Sequence, residues 1–424
     1  MPSDHPAGAT TVAVVLFAVP AFGMAVGLGR GATAGSDGSD VLLTLLAVCT
    51  AIGAGLLWHF MVAAGDAARR DTRELLRFRE RLRTTVVVTC VLTLAQTAIL
   101  VLALAPLGLS PFMLLFGVAP AGLFAVVQLV RAWRGPMSNR TVTSVALPVP
   151  TAATPRLWRL IDDLSERLAV RPPDHVLVGH DAAFFVTPLT VTTPFGAVAG
   201  RTLCCSLSLT RILAARELAA IVAHELAHFS EDDLPFTTGF YPSFRSARVG
   251  IRILRARPNL YSVLLLPAIA VLEFLVEEHA PAADARGRVR ERAADARSAA
   301  ATSPRDLATA LVKVNAFAPL FGEAVRLELE SVQATKVVPR FVDRFAAVAA
   351  SKASTVLLEG EDGLPHAADS HLPLALRLEA LGVSTSDVAA DALVVDPTEP
   401  ASDVLPEIEE LERLLVQAYG PMSA

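Results

Sequence analysis

The sequence predicts a mainly helical, multi-pass membrane protein in which four N-terminal membrane helices precede an α+β domain. Hydrophobic residues make up 53% of the 424 residues, and the mean hydropathy is +0.49, more apolar than an average soluble domain. The apolar residues of the N-terminal third concentrate in four stretches, each long enough to cross a bilayer. The remaining chain combines amphipathic helical patterns with short strand-like runs, which indicates a separate folded domain.

The four predicted membrane spans are residues 11–29, 41–64, 84–106 and 112–130, within a transmembrane region 1–134. Residues 1–7 include Asp4 but no Lys or Arg. Because further spans follow, the first stretch is expected to be a membrane anchor rather than a cleaved signal peptide.

The distribution of arginine predicts the orientation in the membrane. Only Arg30 lies between the first two spans, whereas the loop between the second and third spans holds Arg69, Arg70, Arg73, Arg77, Arg79, Arg81 and Arg83. An arginine-rich loop is expected on the cytoplasmic side, and four crossings return the chain to that side. The sequence therefore predicts an integral protein of the plasma membrane whose folded domain faces the cytoplasm.

The chain after the membrane region divides into three predicted parts. A linker rich in Pro, Ser and Thr covers residues 135–155, and the folded domain covers 156–383. An amphipathic helix near 157–169 and a strand region near 175–209 open this domain. Residues 384–424 are acidic and are expected to form a solvated tail.

The most informative motif is His224-Glu-Leu-Ala-His228. In a helix the two histidines lie about 40° apart and roughly 6 Å along the axis, so that both can bind one metal ion. Glu225 then lies beside them, where a general base is needed. Residues 211–228 contain neither Pro nor Gly and are rich in helix formers, which supports a helical motif.

A third ligand would complete a catalytic zinc site, with one zinc ion per chain. Two histidines and one carboxylate leave the fourth tetrahedral position open, which is typical of a catalytic rather than a structural site. Glu291 is the first choice, because Asp295 follows one helical turn later and could hold a ligating histidine by its second nitrogen. The competing ligands are Asp232 and Asp233, directly after the motif, and more weakly Glu278 and His279.

These motifs resemble the membrane zinc metallopeptidases that include the heat-shock protease HtpX and the CAAX prenyl proteases. The resemblance covers about residues 157–381 and implies a zincin-like metallopeptidase domain. Glu291-Arg-Ala-Ala-Asp295 is similar to the family's ExxxD motif, which implies Glu291 as the third zinc ligand, supported by Asp295. The segment 371–377 is similar to the family's late His-Pro…Arg segment, which implies that His371 or Arg377 lies near the active site and stabilises the oxyanion.

The apolar segment 260–276 separates the two halves of the predicted metal site. A single membrane crossing there would place His224 and Glu291 on opposite sides of the bilayer. The segment is therefore expected to be re-entrant, interfacial or buried in the domain, and Pro267 and Glu273 within it argue against a plain span.

The sequence thus predicts a membrane-anchored zinc metalloendopeptidase that acts on membrane or membrane-proximal proteins in quality control or processing. The expected partners are protein or peptide substrates and the lipid bilayer. A net charge of −5 gives no reason to expect nucleic acid. The alternatives are a regulatory or sensory membrane protein with a peptidase-like metal-binding domain and little general proteolytic activity, and a non-catalytic metal scaffold. Glu225 argues against the scaffold, which needs no general base.

Overall fold

The structure is a computed structural model, which describes residues 6–34, 38–105, 117–135, 137, 141–230, 235–256, 265–335, 338–355 and 372–419. The chain divides into two compact units. The first comprises Met1–Arg140 and Gly239–Asp284, and the second comprises Thr141–Thr238 and Ala285–Ala424.

The described elements are mainly helical. The helices are α1 (Pro6–Ala34), α2 (Gly38–Arg70), α3 (Phe78–Leu104), α4 (Ala119–Arg134), α5 (Pro155–Arg167), α6 (Leu207–Ile212), α7 (Ala215–Ala227), α8 (Tyr241–Arg255), α9 (Leu266–Ala301), α10 (Pro304–Phe317), α11 (Phe321–Thr335), α12 (Phe341–Lys352), α13 (Leu374–Leu381), α14 (Thr385–Ala392) and α15 (Ile408–Tyr419). The strands are β1 (Val142–Thr143), β2 (Ala146–Pro148), β3 (His175–Gly179), β4 (Phe185–Thr187), β5 (Val191–Thr193), β6 (Gly196–Val198) and β7 (Thr202–Ser206).

Three helical stretches in the described chain are long and apolar enough to cross a membrane: Thr10–Ala32, Gly38–Arg70 and Thr72–Leu104. They correspond to the first three predicted spans and support the predicted association with a membrane. The fourth predicted span, 112–130, begins outside the described residues, and α4 covers 16 residues from Ala119. The number of four spans therefore stays a prediction.

The long apolar helices pack closely in the first unit. Leu43 and Ala47 of α2 form a buried cluster with Ile99 and Ala103 of α3. A Cβ atom on Gly23 of α1 would lie 2.5 Å from Cγ2 of Ile99. A larger residue at this position would therefore force the helices apart, which costs packing contacts that apolar helices need in a lipid environment.

The segment expected at 260–276 is helical from Leu266 onwards, and residues 260–264 lie outside the described chain. Its described part is largely buried in the first unit, where the Phe274 ring stacks on Trp58 with centroids 4.8 Å apart. The helix α9 continues without interruption from Leu266 to Ala301, so it also carries Glu291.

Two small sheets organise the start of the second unit. Strands β2, β3, β7 and β4 lie side by side in that order, with β3 and β7 parallel and both outer pairs antiparallel. Strands β1, β5 and β6 form the second sheet. Ser206 ends β7 and caps α6, since its hydroxyl accepts a hydrogen bond from the Leu209 amide at 3.0 Å. The chain thereby turns directly from the sheet into α6 and α7.

Both segments that flank the predicted domain take part in the second unit. The predicted linker 135–155 supplies β1 and β2, which pair with β5 and β3. The expectation of a solvated C-terminal tail is wrong for its described part, because Leu411 and Leu415 of α15 lie in the main hydrophobic core. These leucines are four residues apart and form an apolar stripe on an otherwise acidic helix. The overall acidic composition predicted exposure because it does not show that the apolar residues share one face.

Candidate metal centre

The helix α7 presents His224, Glu225 and, at its C-terminal end, His228. Its N-terminus has no capping side chain at Ala214. Instead, the Glu217 carboxylate accepts a hydrogen bond from the Ala214 amide at 2.8 Å. It also forms an ion pair with Lys313 of α10, whose Nζ atom lies 2.7 Å away. Both charged side chains are buried. This buried pair replaces an ordinary cap and ties the start of α7 to α10.

The second helix of the site, α9, brings Glu291 to the two histidines. The Nε2 atoms of His224 and His228 are 3.2 Å apart. Glu291 places Oε1 3.3 Å from Nε2 of His228 and Oε2 3.6 Å from Nε2 of His224. Tetrahedral zinc with ligands at about 2.0–2.1 Å requires about 3.3–3.4 Å between ligand atoms. Within the described chain this is the cluster suited to hold a metal ion, and its geometry fits zinc.

Asp295 lies behind His224 and fixes the orientation of its ring. The Nδ1 atom of His224 is 2.9 Å from Oδ1 of Asp295. When Nδ1–H donates to this carboxylate, Nε2 keeps its lone pair towards the metal position. The structure therefore places Asp295 beside His224, and its supporting role stays a prediction.

Arg377 of α13 lies against both Asp295 and His224, and its Nη2 atom is 3.3 Å from Nδ1 of His224. Its Nε atom donates to Oδ2 of Asp295 at 2.8 Å, and Nη2 donates to Oδ1 at 2.5 Å. Such a two-point pair holds the carboxylate plane in one orientation. Because two of its nitrogen atoms are engaged in this way, the arrangement favours a positioning role for Arg377 over the predicted contact with the oxyanion.

The electrostatics of the cluster suit a cation. Burial and Arg377 lower the pKa of His224, but hydrogen bonds to Asp295 and Glu291 outweigh them and raise it to about 9. Carboxylates that stabilise a proton on this ring also stabilise a divalent ion. Burial and Arg290 lower the pKa of His228 to about 3, which keeps its ring neutral and able to bind metal.

Asp295 itself remains ionised in the buried site. Burial raises the pKa of its carboxyl group, but the hydrogen bonds from Arg377 and His224 outweigh this effect and lower the pKa to about 2. The carboxylate therefore stays negatively charged at neutral pH, as the support of a metal-binding histidine requires.

Two residues that sequence reasoning missed connect the helices of the His224–His228–Glu291 cluster to their neighbours. Ser298 of α9 donates its hydroxyl to the Ala220 carbonyl of α7 at 2.7 Å. Ser298 lies on the same helical face as Glu291 and Asp295, one turn further on. The i, i+4, i+7 spacing of these three residues in the sequence indicates that Ser298 shares their buried face. The other is Lys313, one of three lysines in the chain, whose position in an apolar helical run indicated a buried partner.

Several predicted residues do not enter the described cluster. Asp232, Asp233 and His371 lie outside the described residues. Glu278 and His279 belong to the first unit, where Glu278 pairs with Arg69 at 2.9 Å and His279 lies 3.3 Å from Arg81.

Two histidines and the intervening glutamate on one helix, with a carboxylate beside them from a second helix, are typical of a metal-dependent hydrolase site. Residues 195–383 match the model of peptidase family M48, and this region contains all the ligands of the cluster. Residues 195–383 are thus similar to peptidase family M48, the family of the HtpX and CAAX-protease-like zinc metallopeptidases that the motifs resemble. The comparisons with curated proteins and with solved structures give no significant match.

Proposed function

We propose that the protein is a membrane-anchored zinc metalloendopeptidase with an α+β, zincin-like catalytic domain. The observation that carries this proposal is the convergence of His224, His228 and Glu291 at tetrahedral spacing, with Glu225 on the same helix as the histidines. A purely structural zinc site would have four protein ligands and no use for Glu225.

The three ligands would hold one zinc ion, which supplies Lewis acidity by lowering the pKa of a water molecule and polarising the scissile carbonyl. Glu225 takes the proton of the attacking water and passes it to the leaving amine. Asp295 holds His224 in the tautomer that leaves Nε2 free, and Arg377 holds Asp295. His371 remains the proposed contact to the oxyanion, by its similarity to the late family motif.

The position of β4 supports binding of an extended substrate. This strand is the last in the order β2-β3-β7-β4, so no strand of the described residues neighbours one of its edges in that sheet. An extended peptide can add to such an edge through main-chain hydrogen bonds, which are independent of side-chain sequence. We propose protein or peptide substrates on this basis, and no nucleic acid.

The apolar helices confine the proposed activity to a membrane surface. We propose four spans in the plasma membrane, with the peptidase domain on the cytoplasmic side where the arginine-rich loop is expected. Substrates would then be membrane proteins or membrane-proximal segments, cleaved in quality control or processing.

The test is to measure zinc content and casein cleavage of the full-length protein purified in detergent. Glu225→Gln is expected to retain zinc but lose cleavage, and Glu291→Ala is expected to lose both. Glu166→Gln, an exposed helical substitution of the same type, serves as the matched control. Full zinc retention in Glu291→Ala would refute the assignment of the third ligand. Zinc binding without cleavage by the wild type, on casein and on membrane-protein substrates, would favour the regulatory alternative.

A further inference from the structure

The helix α8 presents a strongly basic face. It carries four arginines, Arg245, Arg248, Arg252 and Arg255, and no acidic residue. With 3.6 residues per turn, these positions span about 80° of the helix circumference. Ala247, Gly250 and Leu254 are buried on the other side. The helix is therefore amphipathic, with arginines concentrated on one face.

The helix α8 belongs to the first unit and packs there against one end of the other helices. Phe78, the first residue of α3, makes edge contacts with the rings of Phe240 and Phe244 at 5.7 and 5.3 Å. A Cβ atom on Gly250 would lie 2.4 Å from Cγ of Met137, three residues beyond the end of α4. The helix α8 therefore lies where α3 begins and α4 ends.

The same end carries further exposed arginines. We define the basic surface as Arg79 and Arg83 of α3, Arg131 and Arg134 of α4, and Arg248 and Arg252 of α8. All six are exposed, and none forms a salt bridge with a residue that the structure describes. This local excess of positive charge occurs in a chain whose net charge is −5. Arginines held apart from acidic partners are available to an external anion.

We propose that the basic surface binds the phosphate headgroups of anionic phospholipids in the membrane that holds the first unit. Guanidinium groups bind phosphate through two parallel hydrogen bonds. The apolar part of α3 begins directly after Arg83, so the surface continues an apolar helix at the depth where headgroups lie. This continuity favours a lipid over a soluble acidic partner. The inference does not depend on peptidase activity.

The test uses full-length protein in a neutral detergent, titrated with phosphatidylglycerol or with phosphatidylcholine. Thermal unfolding and native mass spectrometry report binding. Arg248→Gln/Arg252→Gln is expected to bind phosphatidylglycerol about tenfold more weakly than the wild type, since each arginine near an anionic surface contributes about fivefold before screening. Arg248→Lys/Arg252→Lys is expected to bind more weakly than the wild type but more tightly than the glutamine variant, because lysine keeps the charge and loses the paired hydrogen bonds.

A second variant on the same surface, Arg131→Gln/Arg134→Gln, is expected to weaken binding to a similar extent. Arg156→Gln/Arg159→Gln, on exposed positions of α5 in the second unit, is the matched control and is expected to bind as the wild type does. Salt at about 1 M, where the screening length is about 3 Å, is expected to remove the preference for phosphatidylglycerol.

Three results would overturn the proposal. The first is equal binding of phosphatidylcholine and phosphatidylglycerol by the wild type. The second is unchanged phosphatidylglycerol binding in both glutamine variants. The third is displacement of the lipid by inorganic phosphate at equal concentration, which would identify a soluble phosphate compound as the ligand.

Discussion

Asp295→Asn tests whether one carboxylate serves two separable purposes in the metal centre. Asp295 accepts a hydrogen bond from Nδ1 of His224 at 2.9 Å and two from Arg377. Asparagine keeps the shape of the side chain but removes its charge, and its amide oxygen cannot satisfy both partners. We therefore expect a loss of zinc affinity through His224 and a loss of stability through Arg377.

The two losses have different magnitudes. Removing the carboxylate that supports a ligating histidine typically weakens metal binding by about 10–100-fold, or about 1.4–2.7 kcal/mol. Arg377 would in addition be left buried without its charge partner, which costs about 3 kcal/mol or more. For a unit of this size, that loss lowers the melting temperature of the metal-free protein by about 6–12 °C.

The assay combines zinc titration against a competing chelator with thermal unfolding of the metal-free protein. Arg377→Met is expected to lose stability to a similar degree while keeping zinc affinity within about threefold, because the bond from His224 to Asp295 remains. Asp295→Asn/Arg377→Met is expected to recover part of the stability but to bind zinc as weakly as Asp295→Asn. Glu166→Gln controls for the loss of an exposed carboxylate.

Zinc affinity of Asp295→Asn within about twofold of the wild type would refute the role of Asp295 in orienting His224. Equal zinc loss in Arg377→Met and Asp295→Asn would refute the separation of the two roles, since it would place Arg377 in direct control of the ligand.

Three further predictions concern stability and metal dependence. Lys313→Met leaves the buried Glu217 carboxylate without its charge partner and is expected to lower the free energy of unfolding by about 3–5 kcal/mol, measured by thermal unfolding. Lys313→Met/Glu217→Met is expected to recover most of this lost stability. An equal loss of stability in the single and the double variant would contradict the prediction. Burial lowers the pKa of His180 to about 4, so between about pH 6.5 and 4 the His180 ring is protonated in the unfolded chain but not in the folded protein. The free energy of unfolding should therefore fall by up to about 3 kcal/mol as the pH is lowered across that window. In His180→Leu the melting temperature should decline less steeply over the same pH range. Removal of metal with a chelator is expected to abolish casein cleavage and lower the melting temperature, and added zinc should restore both; cleavage that persists after verified zinc removal would exclude a zinc mechanism.

The apolar helices and the metal-binding motif could be predicted from the sequence because both depend on local periodicity. A long apolar run predicts a membrane helix whatever surrounds it. Likewise, His224 and His228 share a helical face by spacing alone. The match to family M48 confirms the resemblance that these motifs carried.

Tertiary structure decided the features that depend on distant pairs. The pairing of Asp295 with Arg377 joins residues 82 positions apart, and that of Glu217 with Lys313 joins residues 96 apart. The acidic composition of residues 384–424 predicted solvation, yet Leu411 and Leu415 are buried because other helices offer an apolar surface to their stripe. Local sequence determines which face a helix can bury, but the partner that covers this face is supplied only when the whole chain folds.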